Sequence, residues 1–312
     1  MTLKESFAEP STPLSSPALK QSTGSVFKPV IAFICCLAIS GVMSSCTILI
    51  DEHKLFSPHR TKPCLLTGVQ NVTKEDFRIP TSEPFVNTGY ILFYTGSKDF
   101  MLYFPGVGES AYDDLKRALV LCESSRLNVV VTDYRGYGSS AGAPKLEHLL
   151  TDADTVCRHV RAKYKPVSLF AYGHSIGSAA AEYLGGKAAY QVNGVILEAA
   201  FTNGKDAVAS IGRNLPGPLK KLIKLLPAEE LATWRPQPEE LVTRLKCPLL
   251  VMHGGRDNHF PVSMSENLFN NAGTPVAQKH ILIVTNAGHF IPLSTPPASS
   301  AIADFVRNNK TP

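Results

Sequence analysis

The residues best placed to do chemistry in this 312-residue chain are a serine, an aspartate and a histidine that lie far apart in sequence. Ser175 stands in Gly173-His174-Ser175-Ile176-Gly177, after the apolar run Leu169-Phe170-Ala171-Tyr172 and before Ser178-Ala179-Ala180-Ala181-Glu182-Tyr183-Leu184. The first stretch has strand character and the second is made of small residues and good helix formers. A strand, a sharp turn and a helix in that order lift a hydroxyl off the end of a sheet. Gly173 and Gly177 flank it because side chains there would crowd the strained apex. The Ile176 backbone N–H, at the start of the helix, faces the space above Ser175 and supplies half of an oxyanion hole. A serine hydroxyl is a weak nucleophile until a base takes its proton and a third group holds the tautomer of that base. Asp257 and His289 meet that need. The apolar run 248–253 ends in Gly254-Gly255-Arg256-Asp257, and 281–284 ends in Asn286-Ala287-Gly288-His289. Both residues therefore fall just past strand ends, in the chain order serine, aspartate, histidine.

Three such groups meet only if a sheet presents its strand ends on one edge. The spacing predicts early antiparallel strands over 73–79 and 89–94, a strand over 99–104, a helix over 112–124 and a fully apolar strand over 128–133. A helix over 146–164 follows, with Leu149, Leu150, Ala153, Val156 and Val160 on one face. Beyond the serine turn come strands over 195–197, 248–253 and 281–284 and helices over 263–269 and 299–306. Alternating strands and helices give an α/β class with a mostly parallel central sheet and helices on both faces. The formal net charge of +5 is spread along the chain without a block of like charge, which argues against a nucleic-acid partner. Seven cysteines show no CxxC or metal-type spacing, so the chemistry calls for neither a metal nor a cofactor. Cys64, Cys122, Cys157 and Cys247 read as buried or idle thiols.

Taken together, Asp133-Tyr134-Arg135-Gly136-Tyr137-Gly138-Ser139, Gly173-His174-Ser175-Ile176-Gly177, His253-Gly254-Gly255-Arg256-Asp257 and Gly288-His289-Phe290 resemble the alpha/beta-hydrolase family. The resemblance runs from about residue 69 to 308. It is greatest to a membrane-associated branch of lipases, esterases and depalmitoylases. It implies an alpha/beta-hydrolase fold with nucleophile Ser175, acid Asp257 and base His289. It also implies an oxyanion hole completed by the Val107 N–H. The loop that carries Val107 departs from the family: where a His-Gly pair is usual, the chain has Pro105-Gly106, and the side-chain support of the loop is lost from view. The segment 201–246 falls where this fold carries a substrate lid, and within it 219–226 reads as an amphipathic helix with Lys220, Lys221 and Lys224 on its polar side. Asp133 and Arg135 are read as shaping the loop after their strand, Tyr134 and Tyr137 as packing, His174 as support for the serine turn and His259 as a surface-loop residue.

The N-terminal 64 residues are read separately. Residues 1–29, rich in Ser, Thr and Pro, form a disordered leader, and 51–64 form a polar linker to the hydrolase domain at 65–312. Between them, 30–50 is a run of 21 residues without a charge. As a helix it would span roughly 30 Å, the apolar thickness of a bilayer. One reading is an uncleaved anchor; the other is an export signal in which Met43-Ser44-Ser45-Cys46 resembles a lipobox and Cys46 is lipidated. Either tethers the domain to a membrane on its non-cytoplasmic side. The expected activity is hydrolysis of a carboxylic ester or thioester, small-molecule or lipid. The alternatives are a serine peptidase of the same fold or a catalytically silent binding protein. Oligomeric state leaves no mark in the sequence.

Overall fold

Short apolar runs bounded by loops become the strands that carry the site. The computed structural model describes residues 46–80 and 86–311. In chain order the elements are β1 (Cys46–Ile50), α1 (Glu52–Leu55), β2 (Val72–Pro80), β3 (Val86–Tyr94), β4 (Phe100–Phe104), α2 (Leu115–Ser125), β5 (Asn128–Thr132) and α3 (Leu146–Tyr164). They continue with β6 (Leu169–His174), α4 (Gly177–Gly185), β7 (Gly194–Glu198), α5 (Gly204–Arg213), α6 (Gly217–Leu222), β8 (Ile223–Pro227), α7 (Glu229–Thr233) and α8 (Pro238–Leu241). The last four are β9 (Leu249–Gly254), α9 (Val262–Asn271), β10 (Lys279–Val284) and α10 (Ala298–Asn309).

Eight strands form one sheet in the order β10-β9-β7-β6-β4-β5-β3-β2. From β5 to β10 all neighbours are parallel, while β3 runs antiparallel to both β2 and β5. Strands β4, β5, β6, β7 and β9 are buried at every residue, which is why they read as continuous apolar runs without alternation. Apolar faces of α3, α4 and α9 cover one side, through residues such as Leu149, Val156, Ala180, Leu184 and Leu268. Those of α2 and α10 cover the other, through Leu121, Ile302 and Phe305. This is the predicted α/β architecture, with the carboxyl ends of β6, β9 and β10 on one edge.

Three expectations are corrected by non-local pairing. The helix expected over 219–226 ends at Leu222, and Ile223–Pro227 is a strand paired in parallel with Cys46–Ile50. Ile-Lys-Leu-Leu fits either period, and a partner strand 177 positions upstream (223 minus 46) decides it. The same pairing makes the last five residues of the charge-free run 30–50 a strand instead of the end of a spanning helix. Residues 1–45, including the leader and the rest of that run, lie outside the described residues. Turns are also expected at Pro80 and Pro84; Pro84 lies outside the described residues, whereas Pro80 is the last residue of β2. Among the described residues no helix is long and apolar enough to cross a membrane. The third correction concerns 51–64, expected to be a polar linker. Phe56 is buried, Gly138 N–H donates to His59 O (2.9 Å), and Arg60 donates to Ser140 O (2.5 Å). The segment is docked on the loop after β5.

Of the four thiols, Cys122 and Cys157 are buried, Cys247 is half-buried and Cys64 is exposed, all free. One buried carboxyl stands out. Glu182 on α4 is fully buried, and both its oxygens are without a hydrogen-bond partner among the described residues. Burial therefore pushes its pKa well above the ordinary carboxylate value of 4.5, and the folded protein holds it protonated. In the unfolded chain it ionises normally, so its contribution to stability is fully present below about pH 4.5 and falls as pH rises, by about 1.4 kcal/mol per unit until the folded pKa is passed. Thermal unfolding of Glu182→Gln should therefore give a Tm close to wild type near pH 4.5 and several degrees above it near pH 8. Parallel Tm curves for the two proteins across that range would contradict this account of Glu182.

Candidate active site

The serine turn follows from its two glycines. A Cβ on Gly173 would lie 2.4 Å from Gly177 O, and one on Gly177 would lie 2.1 Å from Phe104 O, so neither position accepts a side chain. Between them Ser175 takes φ +52°, a left-handed conformation that strains a residue with a Cβ by about 1–3 kcal/mol. The Ser175 N–H donates to Glu198 O (2.9 Å), which ties the apex to the end of β7. Ser175 Oγ makes no hydrogen bond to any described residue.

Asp257 and His289 arrive on two loops that are stitched together. Gly255 N–H donates to Val284 O (2.9 Å) and Arg256 N–H to Ala287 O (2.8 Å). A Cβ on Gly254 would sit 2.0 Å from Gly288 O, so this approach needs glycine. Asp257 Oδ1 accepts from the N–H groups of His259 (2.7 Å) and Phe260 (3.0 Å), which folds the turn around the acid. Oδ2 accepts from His289 Nδ1 at 2.8 Å. That bond fixes the tautomer and leaves Nε2 as the basic nitrogen. Burial alone would raise the Asp257 pKa, but hydrogen bonds from His253 and His289 outweigh it and hold the carboxyl far below the usual range. For His289, burial and the nearby His174 charge outweigh the bond to Asp257. Its pKa lies below the ordinary imidazole value of 6.5, so the ring is neutral and able to accept a proton at neutral pH.

The structure joins Asp257 and His289 directly, whereas Ser175 has no hydrogen bond to His289. The connection between them passes through His174, whose Nε2 lies 3.3 Å from His289 O and whose ring centroid is 5.1 Å from that of His289. His259 is not a plain surface-loop residue. It is only half-buried, but its ring lies tilted against that of His289 with centroids 4.5 Å apart, and its pKa is pushed down to about 4, by burial and then by the neighbouring histidines. Asp133 and Arg135 shape the loop after β5: Asp133 accepts from Ala111 N–H (2.8 Å), and Arg135 pairs with Asp152 (2.9 Å). Tyr134 and Tyr137 are buried in the core, yet their hydroxyls reach the loop that follows β4. Tyr134 Oη donates to Pro105 O (2.7 Å), and Tyr137 Oη accepts from Gly108 N–H (3.3 Å). The N–H groups of Val107 and Ile176 have no acceptor among the described residues.

Four residues around the site were missed in the sequence. Glu109 accepts from Gly106 N–H (2.8 Å) and faces His174 Nδ1 (3.3 Å). His253, the last side chain of β9, lies 3.3 Å from Asp257 Oδ2 and 2.7 Å from Ser265 Oγ. Glu198, wholly buried at the end of β7, accepts from Tyr172 Oη, from Arg117 and from Ile291 N–H (2.9 Å). Arg117 also donates to Ile291 O (3.1 Å), so the pair holds the chain two residues past His289 by both backbone groups. For His253 and Glu198 the signal was a polar residue at the end of a buried strand; Glu109, in a loop, and Arg117, on α2, carried no such mark. Asp257, His259 and His289 form the one group of three ligand-type side chains among the described residues with donor atoms within 4.8 Å of one another. Both Asp257 oxygens already accept hydrogen bonds, one of them from His289, so the arrangement is that of an acid–base pair.

Residues 97–239 match the family model described as serine aminopeptidase, S33. Among curated proteins, the chain is 30% identical to human protein ABHD12B over 223 residues, 66% of this chain and 60% of that protein. It is 27% identical to zebrafish (Danio rerio) lysophosphatidylserine lipase ABHD12 over 57% of this chain and 48% of that protein. To protein bem46 of Schizosaccharomyces pombe it is 26% identical over 67% and 69%. The chain thus spans about half to two thirds of the length of these relatives. A solved Pyrococcus furiosus esterase, Pf2001, shares the fold with a TM-score of 0.62 at 16% identity, over 80% of this chain and 98% of that one. With the strand order, the glycine-flanked Ser175 at positive φ and these matches in agreement, the chain has the alpha/beta-hydrolase fold.

Proposed function

We propose that the protein is a serine hydrolase of carboxylic esters or thioesters in which Ser175 is the nucleophile, His289 the base and Asp257 the acid. The observation that carries this reading is the 2.8 Å bond from His289 Nδ1 to Asp257, beside a serine presented at a strained turn. His289 Nε2 takes the proton of Ser175 Oγ as the hydroxyl attacks the acyl carbonyl; the unbonded Oγ must first come within reach of that nitrogen, and such contacts commonly tighten only when substrate is bound. Asp257 stabilises the imidazolium, and the Val107 and Ile176 N–H groups, free of other acceptors, hold the oxyanion. His289 then returns the proton to the leaving alcohol or thiol, and water resolves the acyl-enzyme by the same route.

The name of the zebrafish relative makes lysophospholipids the first lipid esters to try. A peptidase reading draws on the description of the matching family model. Membrane tethering rests on the charge-free residues 30–45 and on Cys46 at the head of β1, through either a spanning segment or a lipidated cysteine.

A panel of acyl esters, thioesters and aminoacyl amides separates these activities, with esters or thioesters expected to turn over fastest. Ser175→Ala should abolish turnover, and Asp257→Asn should lower kcat by up to about 10⁴-fold by releasing the tautomer. Full activity of the alanine variant would refute the assignment. The base must be neutral to act, so kcat/KM should fall on acidification with a midpoint below 6.5, the direction of the His289 shift. A midpoint above 6.5 would contradict that role.

A further inference from the structure

The loop that carries Val107 lacks the family's usual histidine, and the structure shows what stands in its place. Glu109 Oε2 accepts from Gly106 N–H at 2.8 Å and faces His174 Nδ1 at 3.3 Å, while His174 Nε2 faces His289 O at 3.3 Å. His174 is 1% exposed, so no water competes for its nitrogens. Both ring nitrogens face acceptors. A carbonyl oxygen has no proton to give, and Glu109 is held ionised: burial opposes this, but the His174 contact, Arg117 and Gly106 N–H outweigh it. The ring must therefore donate from both nitrogens.

Resting on the proposed hydrolase reading, we propose that Glu109 and an imidazolium His174 form a charged brace that ties the oxyanion loop to the loop of the base, across the serine turn. The brace fixes Gly106, one residue before the Val107 donor, and the carbonyl of His289 itself. A Cβ on Gly106 would lie 2.8 Å from both Glu109 Oε2 and His174 Nδ1, so the loop is shaped to this contact. Glu109 and His174 are positioning residues, since neither touches the reacting atoms. The charged groups facing His174 are Glu109, Glu198 and Arg117, and the further titratable groups are Asp114, His289 and His259. Burial lowers the His174 pKa, but Glu198 and Glu109 together raise it above 6.5. Charge on the brace is present below that raised value and is lost as pH rises through it.

The test uses the full chain with labelled histidine side chains, the His174 ring being assigned with His174→Gln. In the wild type, ring resonances near pH 7.5 should show both His174 nitrogens protonated. In Glu109→Gln, which keeps an acceptor for Gly106 but loses the charge, the His174 titration should move down by about one unit or more. With an ester substrate, Glu109→Gln should lower kcat about 10-fold or more near pH 8 while KM stays within about twofold, and the deficit should shrink near pH 6.5. Glu109→Asp should recover part of the loss. A neutral His174 in the wild type near pH 7.5, or a Glu109→Gln enzyme with wild-type kcat across pH, would overturn the brace. If the wild type hydrolyses no ester, the hydrolase reading fails while the titration still decides the brace. If Glu109→Gln does not fold, the wild-type titration decides alone.

Discussion

The hydrogen bond from His289 Nδ1 to Asp257 Oδ2 is the contact on which the site depends, because it leaves one imidazole nitrogen basic and aims it away from the acid. Much of the surrounding structure keeps that bond in place. The loops after β9 and β10 are joined by two backbone hydrogen bonds and a glycine contact, which holds Asp257 and His289 in one unit. His253 and Ser265 support the carboxylate from below, and the Arg117–Glu198 pair grips the backbone of Ile291 from behind. A carboxylate in so dry a setting stays ionised only because every donor around it is already aimed at it.

Charge balance below the serine turn follows the same logic. Glu109 and Glu198 are held ionised and face Arg117 and His174, while Asp114, bonded to Tyr103 Oη, is pushed up to about 8 by burial and by Glu109 and so is mostly neutral near pH 7. Two anions thus meet two cations in a buried cluster. Its nearness has a chemical consequence: the positive His174 makes a second positive charge on His289 costly, which helps keep that ring unprotonated. Removing one partner of such a cluster leaves an uncompensated buried charge, whereas the intact set is nearly neutral.

The parts of the site legible in the sequence are those with local causes. Gly173 relieves a clash within five residues, and the positions of Asp257 and His289 just past strand ends could be read from where apolar runs stop, whereas the clash that Gly177 relieves is with Phe104 on the neighbouring strand. The parts that were not legible depend on distant partners. Nothing near Ile223 announces that Cys46 will pair with it, and an Ile-Lys-Leu-Leu run is helical or extended according to that partner. Glu109 reads as a loop acid until Gly106 and His174 are brought to it, and Glu198 reads as the polar end of a strand until Arg117 arrives from α2. His259, two residues past Asp257, reads from the sequence as a surface-loop residue. Its ring lies on His289 because Asp257 Oδ1 draws the His259 and Phe260 N–H groups inward.

The central claim is that Ser175 is an activated nucleophile although its hydroxyl is unbonded here. Covalent capture tests it most directly: treat the full chain with a fluorophosphonate, digest it, and map the adduct by mass spectrometry. The account predicts a single phosphonylated residue, Ser175, with labelling suppressed when His289 is replaced by Gln. An unmodified Ser175, or labelling unaffected by that replacement, would contradict it.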